Sequence, residues 1–360
     1  MWTSLRLTSA SGQITHLTGP PRNGWITYPA NYGNIVLFPG DQLHVLTHRW
    51  GQPEMPSSFS MFRDGVSVVS GLWFEIPAAQ DASTPGSYTG SCYADPGESF
   101  SFTVVAGATA PAILQAKLSV KLPGVPLVQG YYMRYDLAQQ QLIPCGEPYT
   151  ALGFTPSSAG SEMVDGCEAL FLAKHVVDWV HVELRNAADP SIVVASRNGL
   201  LLPDGTITDI DGVSPLAFAA VPGNYCVAIA HRNHMGVVTD QAFAFRGAAP
   251  RISFTGGVMI SMTAFAPAPT CANLSCVLTP GNTSGADTPE RVAYVGLNND
   301  RDPILLRVGG SIPTNIASGY YLEDVNMDGV VKYIGASNDR DLILETLGGN
   351  VLGVIHEQGP

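Results

Sequence analysis

Residues 176–185 read Val-Val-Asp-Trp-Val-His-Val-Glu-Leu-Arg. Side chains alternate along an extended chain, so Val176, Asp178, Val180, Val182 and Leu184 share one face and Val177, Trp179, His181 and Glu183 the other. The same two-residue period recurs elsewhere. Leu43, Val45 and Thr47 alternate with His44 and Leu46, and Ser99-Phe-Ser-Phe102 follows a Gly86-x-Tyr-x-Gly-x-Cys92 segment. Further strand-like runs occupy 116–122, 192–196 and 224–231, with Pro-Asp-Gly at 203–205 and Asp-Gly at 211–212 as turns. A helical pattern is confined to Asp136-Leu-Ala-Gln-Gln140.

Composition agrees. The 360 residues include 38 Gly and 27 Pro, too many for a chain of long helices, and 45% are apolar, too many for a disordered one. The fold class expected is mainly β, with two Ig-like or PKD-like β-sandwich domains and then a small calcium-loop repeat with short helices. The Gly86–Cys92 segment resembles the end of an Ig-like sandwich, but no partner Cys stands near the 42–48 strand. Thr109-Ala-Pro-Ala112 marks one boundary, and Ala266-Pro-Ala-Pro-Thr270 has the composition of a stiff linker. The expected domains are 1–110, 111–248 and 249–360, the last a strand segment plus the repeat.

The net charge is −12, and Lys occurs only at 117, 121, 174 and 332. Such a chain lacks the basic stripe that a phosphate backbone requires, and no apolar run is long enough to span a bilayer, so neither nucleic-acid binding nor membrane insertion is expected. The opening Met-Trp-Thr-Ser-Leu-Arg has no basic start followed by an apolar core and does not read as a signal peptide. Low charge, abundant Thr, Ser, Gly and Tyr, and six Cys nevertheless look extracellular. Cys271 and Cys276 are placed to close a small loop, and Cys145 and Cys167 are the next candidate pair. Zinc is the rival reading of these Cys, against which stands the absence of paired C-x2-C and of a nearby His.

The tail contains a duplication. Tyr294-Val-Gly-Leu-Asn-Asn-Asp-Arg-Asp302 and the segment through Gly310 recur, 39 residues later, as Tyr333-Ile-Gly-Ala-Ser-Asn-Asp-Arg-Asp341 and the segment through Gly349. Each Asn-Asp-Arg-Asp element offers an N-cap and first-turn carboxylates ahead of an apolar face and a Gly-Gly stop, which predicts a short helix. Before the second copy stands Asp324-Val-Asn326-Met-Asp328-Gly329-Val330. Oxygen ligands at positions 1, 3 and 5 with Gly at 6 suit a calcium loop, and the Val330 carbonyl would serve at position 7. Gly335 occupies position 12, where an acid is usual, so Asp339 or Asp341 would have to return to the cation. An Asp/Asn/Gly-rich β-turn without an ion is the competing reading. The first copy offers a weaker set: Asn282, Asp287, Asp300 and Asp302.

These paired elements, together with Glu147–Phe154, Asp209–Pro215 and His231–Gly236, resemble the C-terminal region of large secreted surface proteins of the Bacteroidota associated with type IX secretion. In those proteins the terminal loops are similar to dockerin calcium loops. The resemblance covers about 113–357. It implies a calcium ion, an extracellular location at the cell surface, and a non-catalytic accessory role.

No catalytic motif contradicts that implication. There is no G-x-S-x-G elbow, no H-E-x-x-H and no phosphate-cradling loop. His231 and His234, in His-Arg-Asn-His, lack the adjacent Glu of a metal helix and read as structural groups at a strand end. Asp178 and Glu183 are candidates for a carboxylate pair, although acids on strand surfaces are usually solvated. Trp25, Trp50 and Trp73 are concentrated in the first domain, as core packing, a sugar-stacking platform or an interface anchor. The expected function is a non-catalytic extracellular structural or adhesive surface protein that contacts itself or another cell-surface protein, including by assembly into a fibre or array. The alternative is a carbohydrate-binding accessory module with polysaccharide as partner.

Overall fold

The computed structural model describes residues 2–8, 14–16, 30–37, 41–48, 58–72, 79–93, 99–107, 111–154, 162–239, 241–246, 248–254, 278–284 and 291–356. The chain is mainly β, with several sheets and short helices. It divides into two compact units, Met1–Pro111 with Val221–Asn224, and Ala112–Ala220 with Tyr225–Pro360. Residues 249–360 therefore share a unit with most of 111–248. No described helix is long and apolar enough to cross a membrane.

Unit one contains β1 (Trp2–Thr8), β2 (Ile14–His16), β3 (Ala30–Leu37), β4 (Gln42–His48), β5 (Ser58–Arg63), β6 (Val66–Leu72), β7 (Ala79–Asp81), β8 (Gly86–Tyr93) and β9 (Ser99–Ala106). They form two sheets, β2-β1-β4-β7 and β3-β9-β8-β5-β6, in which β3 and β9 run parallel. Leu5, Leu43 and Val45 of the first sheet share one core with Phe59, Met61, Tyr88, Phe100, Phe102 and Val104 of the second. The alternation read at 99–102 is the cause: Phe100, Phe102 and Val104 turn in, while Ser99, Ser101 and Thr103 are only half-buried. The Tyr88 ring stacks on Phe102 at 5.0 Å, and its hydroxyl donates to the Thr84 carbonyl at 2.8 Å, so the polar tip is satisfied.

Unit two begins with β10 (Ala112–Ser119), β11 (Leu127–Val128), β12 (Tyr132–Met133), α1 (Asp136–Gln139), α2 (Cys167–Lys174), β13 (Asp178–Asn186), β14 (Val193–Leu201), β15 (Thr206–Thr208) and β16 (Leu216–Ala220). β17 (Gly223–His231), β18 (His234–Val238), β19 (Phe243–Phe245), β20 (Arg251–Ser253) and β21 (Thr279–Pro280) complete a ten-stranded sheet. β13 lies between antiparallel β14 and β17. Its two faces are both covered, so Trp179, Val180, Val182 and Leu184 are fully buried, and so is Asp178. The solvated surface expected for that acid does not exist.

Cys145 and Cys167 are joined, with Cα atoms 5.3 Å apart, as paired from the sequence. Cys271 and Cys276 lie outside the described residues. Cys167 opens α2, a helix the sequence reading missed, because a run of eight residues is too short to declare its period. Burial of Phe171 edge-on against Trp179, centroids 6.2 Å apart, holds it. A bridge across a separation of 22 residues contributes about 3 kcal/mol by the chain-entropy account. Cys145→Ser is therefore expected to lower the urea midpoint of the oxidised chain to that of the reduced one. A variant as stable as the oxidised parent would remove that role.

The tail adds β22 (Arg291–Ala293), α3 (Arg301–Arg307), β23 (Ile316–Ser318), β24 (Val330–Lys332), α4 (Asp339–Thr346) and β25 (Val354–His356). The duplication becomes a shared core. Val292 and Val331, Ile304 and Ile343, and Val308 and Leu347 are pairs of equivalent residues that all pack in one cluster, with Met235 of β18 inserted. β22 pairs with β25 and closes the tail. The Asn-Asp-Arg-Asp elements open α3 and α4, as expected.

Candidate functional site

Local hydrogen bonding decides which of the terminal acids face the loop. Asn338 Oδ1 accepts the Asp341 N–H at 2.9 Å, and its amide donates back to Asp341 Oδ2 at 2.8 Å. This reciprocal pair closes the start of α4. Arg340 holds the other Asp341 oxygen at 2.8 Å and lies over the Tyr333 ring. Asn299, Asp302, Arg301 and Tyr294 repeat the arrangement in the first copy. Asp341 and Asp302 therefore serve the caps, and the structure does not bring them to the loops.

Asp339 does return. Its Oδ1 accepts the N–H groups of Val325 and Asn326 at 2.8 and 3.3 Å, and its Oδ2 accepts that of Lys332 at 2.8 Å. The loop itself is a chain of side-chain-to-backbone turns. Asp324 accepts from Asp328 N–H (3.1 Å) and Gly329 N–H (2.9 Å), Asn326 from Asp328 N–H (2.9 Å), and Asp328 from Val330 N–H (2.9 Å). Gly329 has φ +83, and a Cβ there would lie 2.8 Å from the Gln140 amide. That amide donates to the Asp328 carbonyl at 2.8 Å, so the loop is seated against the end of α1.

Asp324 and Asp339 are fully buried. Desolvation, joined by the charge of Asp324, pushes the Asp339 carboxyl up to about 8. Burial likewise raises Asp324, to about 6, although Arg232 opposes the rise. The side-chain acceptors of the loop are all oxygen, from the buried carboxyls of Asp324 and Asp339, the Asn326 amide and the Asp328 carboxyl, which is the ligand type that a hard cation such as calcium takes. Lys332 Nζ, 3.4 Å from Asp328 Oδ2, is the competing positive charge. Among the described residues, no group of three or more His, Cys, Asp or Glu side chains is assembled for a metal.

The first copy shows the same plan with less charge. Asp300 accepts from Thr283, Ser284 and Ala293 N–H groups at 2.9, 3.1 and 2.8 Å, as Asp339 does from Val325, Asn326 and Lys332. By that equivalence Asn282 takes the place of Asp324, and burial alone drives the Asp300 carboxyl upward. Asp287 lies outside the described residues, as do Trp25, Trp50 and Trp73.

The sequence reading did not find what seats the tail on the sheet. Asn233 Nδ2 donates to the Asp324 carbonyl at 2.7 Å, and the Asn233 carbonyl accepts from Gly281 and Asn282 N–H at 3.0 and 3.2 Å, so one buried residue holds both copies. Beside it, Arg232 Nε donates to Asp178 Oδ2 at 2.8 Å, Tyr320 OH donates to Asp178 Oδ1 at 2.7 Å, and Arg232 reaches the Tyr321 carbonyl. His231 Nε2 lies 3.2 Å from Asp178, and His231 and His234 approach Nδ1 to Nδ1 at 3.1 Å. Burial pushes both imidazoles down, and each contends with nearby positive charge, which suits neutral rings so placed. The histidines are hydrogen-bonded structural groups in this geometry. The signal that was available is the Asp178–Arg232 pairing: an acid in an apolar strand and an Arg among apolar neighbours each require a partner.

No protein-family model matches the chain, and the curated proteins contain no match to it.

Proposed function

We propose that this chain is a non-catalytic extracellular surface protein, structural or adhesive, whose C-terminal repeat is stabilised by calcium. The loop of Asp324, Asn326, Asp328 and Asp339 carries this reading, because its side chains offer oxygen alone and desolvation pushes two of its buried carboxyls upward. The Cys145–Cys167 bridge supports an oxidising compartment, and the resemblance to secreted surface proteins of the Bacteroidota is in keeping with it. Calcium titration of the full chain, followed by thermal melting, is the direct test, and a melting curve indifferent to both calcium and chelator sinks the reading.

Self-association is the expected mode of adhesion. β6 stands at the end of its sheet among the described strands, and its outward Val66 and Val68 are exposed, with no charge from Val66 to Leu72 to blunt the edge. The full chain is expected to form dimers or larger species by sedimentation, and Val68→Lys to return it to monomer. A parent that is monomeric at high concentration contradicts this.

A further inference from the structure

The sheet of unit two presents another chemistry-bearing surface, away from the repeat. In the parallel β10–β20 pair, Lys117 stands opposite Arg251 and Ser119 opposite Ser253. In the antiparallel β10–β15 pair, Ser119 stands opposite Thr206. Leu118, Ile207 and Ile252 turn inward and are buried, so the residues between them face out across three strands. The result is a row of cations beside a row of hydroxyls, in which Ser119 Oγ donates to Ser253 Oγ at 3.1 Å. Residues 213–215 wall a groove of about 480 Å3 over this surface.

Its charge runs against that of the whole chain. None of the twelve lining residues is acidic, although the chain carries 30 Asp and Glu against 18 Lys and Arg. Lys117 and Arg251 are exposed, and neither forms an ion pair among the described residues. The nearby acids are committed elsewhere. Asp211 accepts the Val213 and Ser214 N–H groups, Asp209 pairs with Arg197, and Asp204 accepts the Thr206 N–H. The two cations stand in register on strands roughly 4.8 Å apart, so one anion could meet both.

We propose that this groove binds a segment of carboxylated polysaccharide, a uronate-rich chain. Lys117 and Arg251 take its carboxylates, Arg251 through a two-pronged contact, and Ser119, Ser253 and Thr206 exchange hydrogen bonds with its ring hydroxyls. Two cations alone would serve an acidic peptide equally well. The hydroxyl row is what favours a sugar, because it offers both donors and acceptors to a ligand that carries both. The groove size falls within the roughly 300–1,000 Å3 of small-ligand sites. This goes beyond the self-association proposed above, and it does not depend on the calcium loop.

The test is calorimetric titration of the full chain with a short oligogalacturonate, beside a neutral oligoglucan, a sulfated dextran and polyglutamate. The uronate is expected to bind and to weaken with salt. Lys117→Ala with Arg251→Ala should lower affinity at least tenfold, and Ser119→Ala with Ser253→Ala severalfold. Both pairs of substitutions should leave the near-ultraviolet circular dichroism and the calcium shift in melting temperature unchanged. No uronate binding, or equal binding of the neutral glucan, overturns the proposal. So does tighter binding of the sulfated polymer. Polyglutamate binding as tight as uronate, and unaffected by the serine changes, assigns the surface to an acidic protein instead. Failure of any of these arms leaves the calcium shift intact, whereas failure of the calcium reading appears only in that shift.

Discussion

In chelator, the protein is expected to be more stable at pH 5 than at pH 8, and calcium is expected to abolish most of that difference. Asp324 and Asp339 titrate near about 6 and about 8 in the folded chain, above the ~3.9 of an unfolded Asp. Between those limits the native state holds protons that the unfolded state has released, so stability falls as pH rises through the window. A cation bound between the two carboxylates replaces the protons and removes the decline. At a calcium concentration one hundred times its dissociation constant, the gain is about 2.7 kcal/mol, or roughly 5–10 °C in melting temperature for a unit of this size. Asp324→Asn introduces the residue that the first copy carries at the equivalent place. It should fold, lose the calcium shift and flatten the pH dependence. Melting curves of parent and variant that coincide at every pH, with and without calcium, would falsify the assignment.

Asp178→Ala is expected to be among the most damaging single substitutions in unit two, at roughly 3–5 kcal/mol, because it leaves the buried Arg232 guanidinium without its counter-charge. Tyr320→Phe removes one hydrogen bond to the same carboxylate and should cost about 1.5–3 kcal/mol. Burial works against the charge of Asp178, but Arg232, His231 and Tyr320 overcome it and hold the carboxyl at about 2. This stabilisation is fully present above the unfolded value near ~3.9 and is lost as pH falls toward 2, opposite in sign to the effect of Asp339. Urea midpoints measured across pH separate the two. If Asp178→Ala behaves like an exposed substitution, the Asp178–Arg232 pair does not join the tail to the sheet.

Several features were legible because their causes are local. The strand at 178–186 follows from its own alternation. The starts of α3 and α4 follow from an Asn and an Asp three residues apart, within one helical turn. The turn at Gly329 follows from side chains that bond the backbone two to five residues on. The 39-residue repeat was visible as sequence and needed no partner to be seen.

Other outcomes turned on residues far apart in the chain. Asp339 and Asp341 are alike in sequence, and only the packing of the Asp324–Val330 loop beside the start of α4 sends the first to the loop, while the cap claims the second. Asp178 reads as a surface acid until β17 lies beside β13 and continues into Arg232, 54 residues away. Asn233 looks like an ordinary turn residue until two copies of the repeat close on it. Turns, caps and alternation are set by bonds within a few residues, so the sequence by itself determined them. Whether a charge is buried, and what answers it, depends on which strands become neighbours, and that was decided only by the tertiary structure.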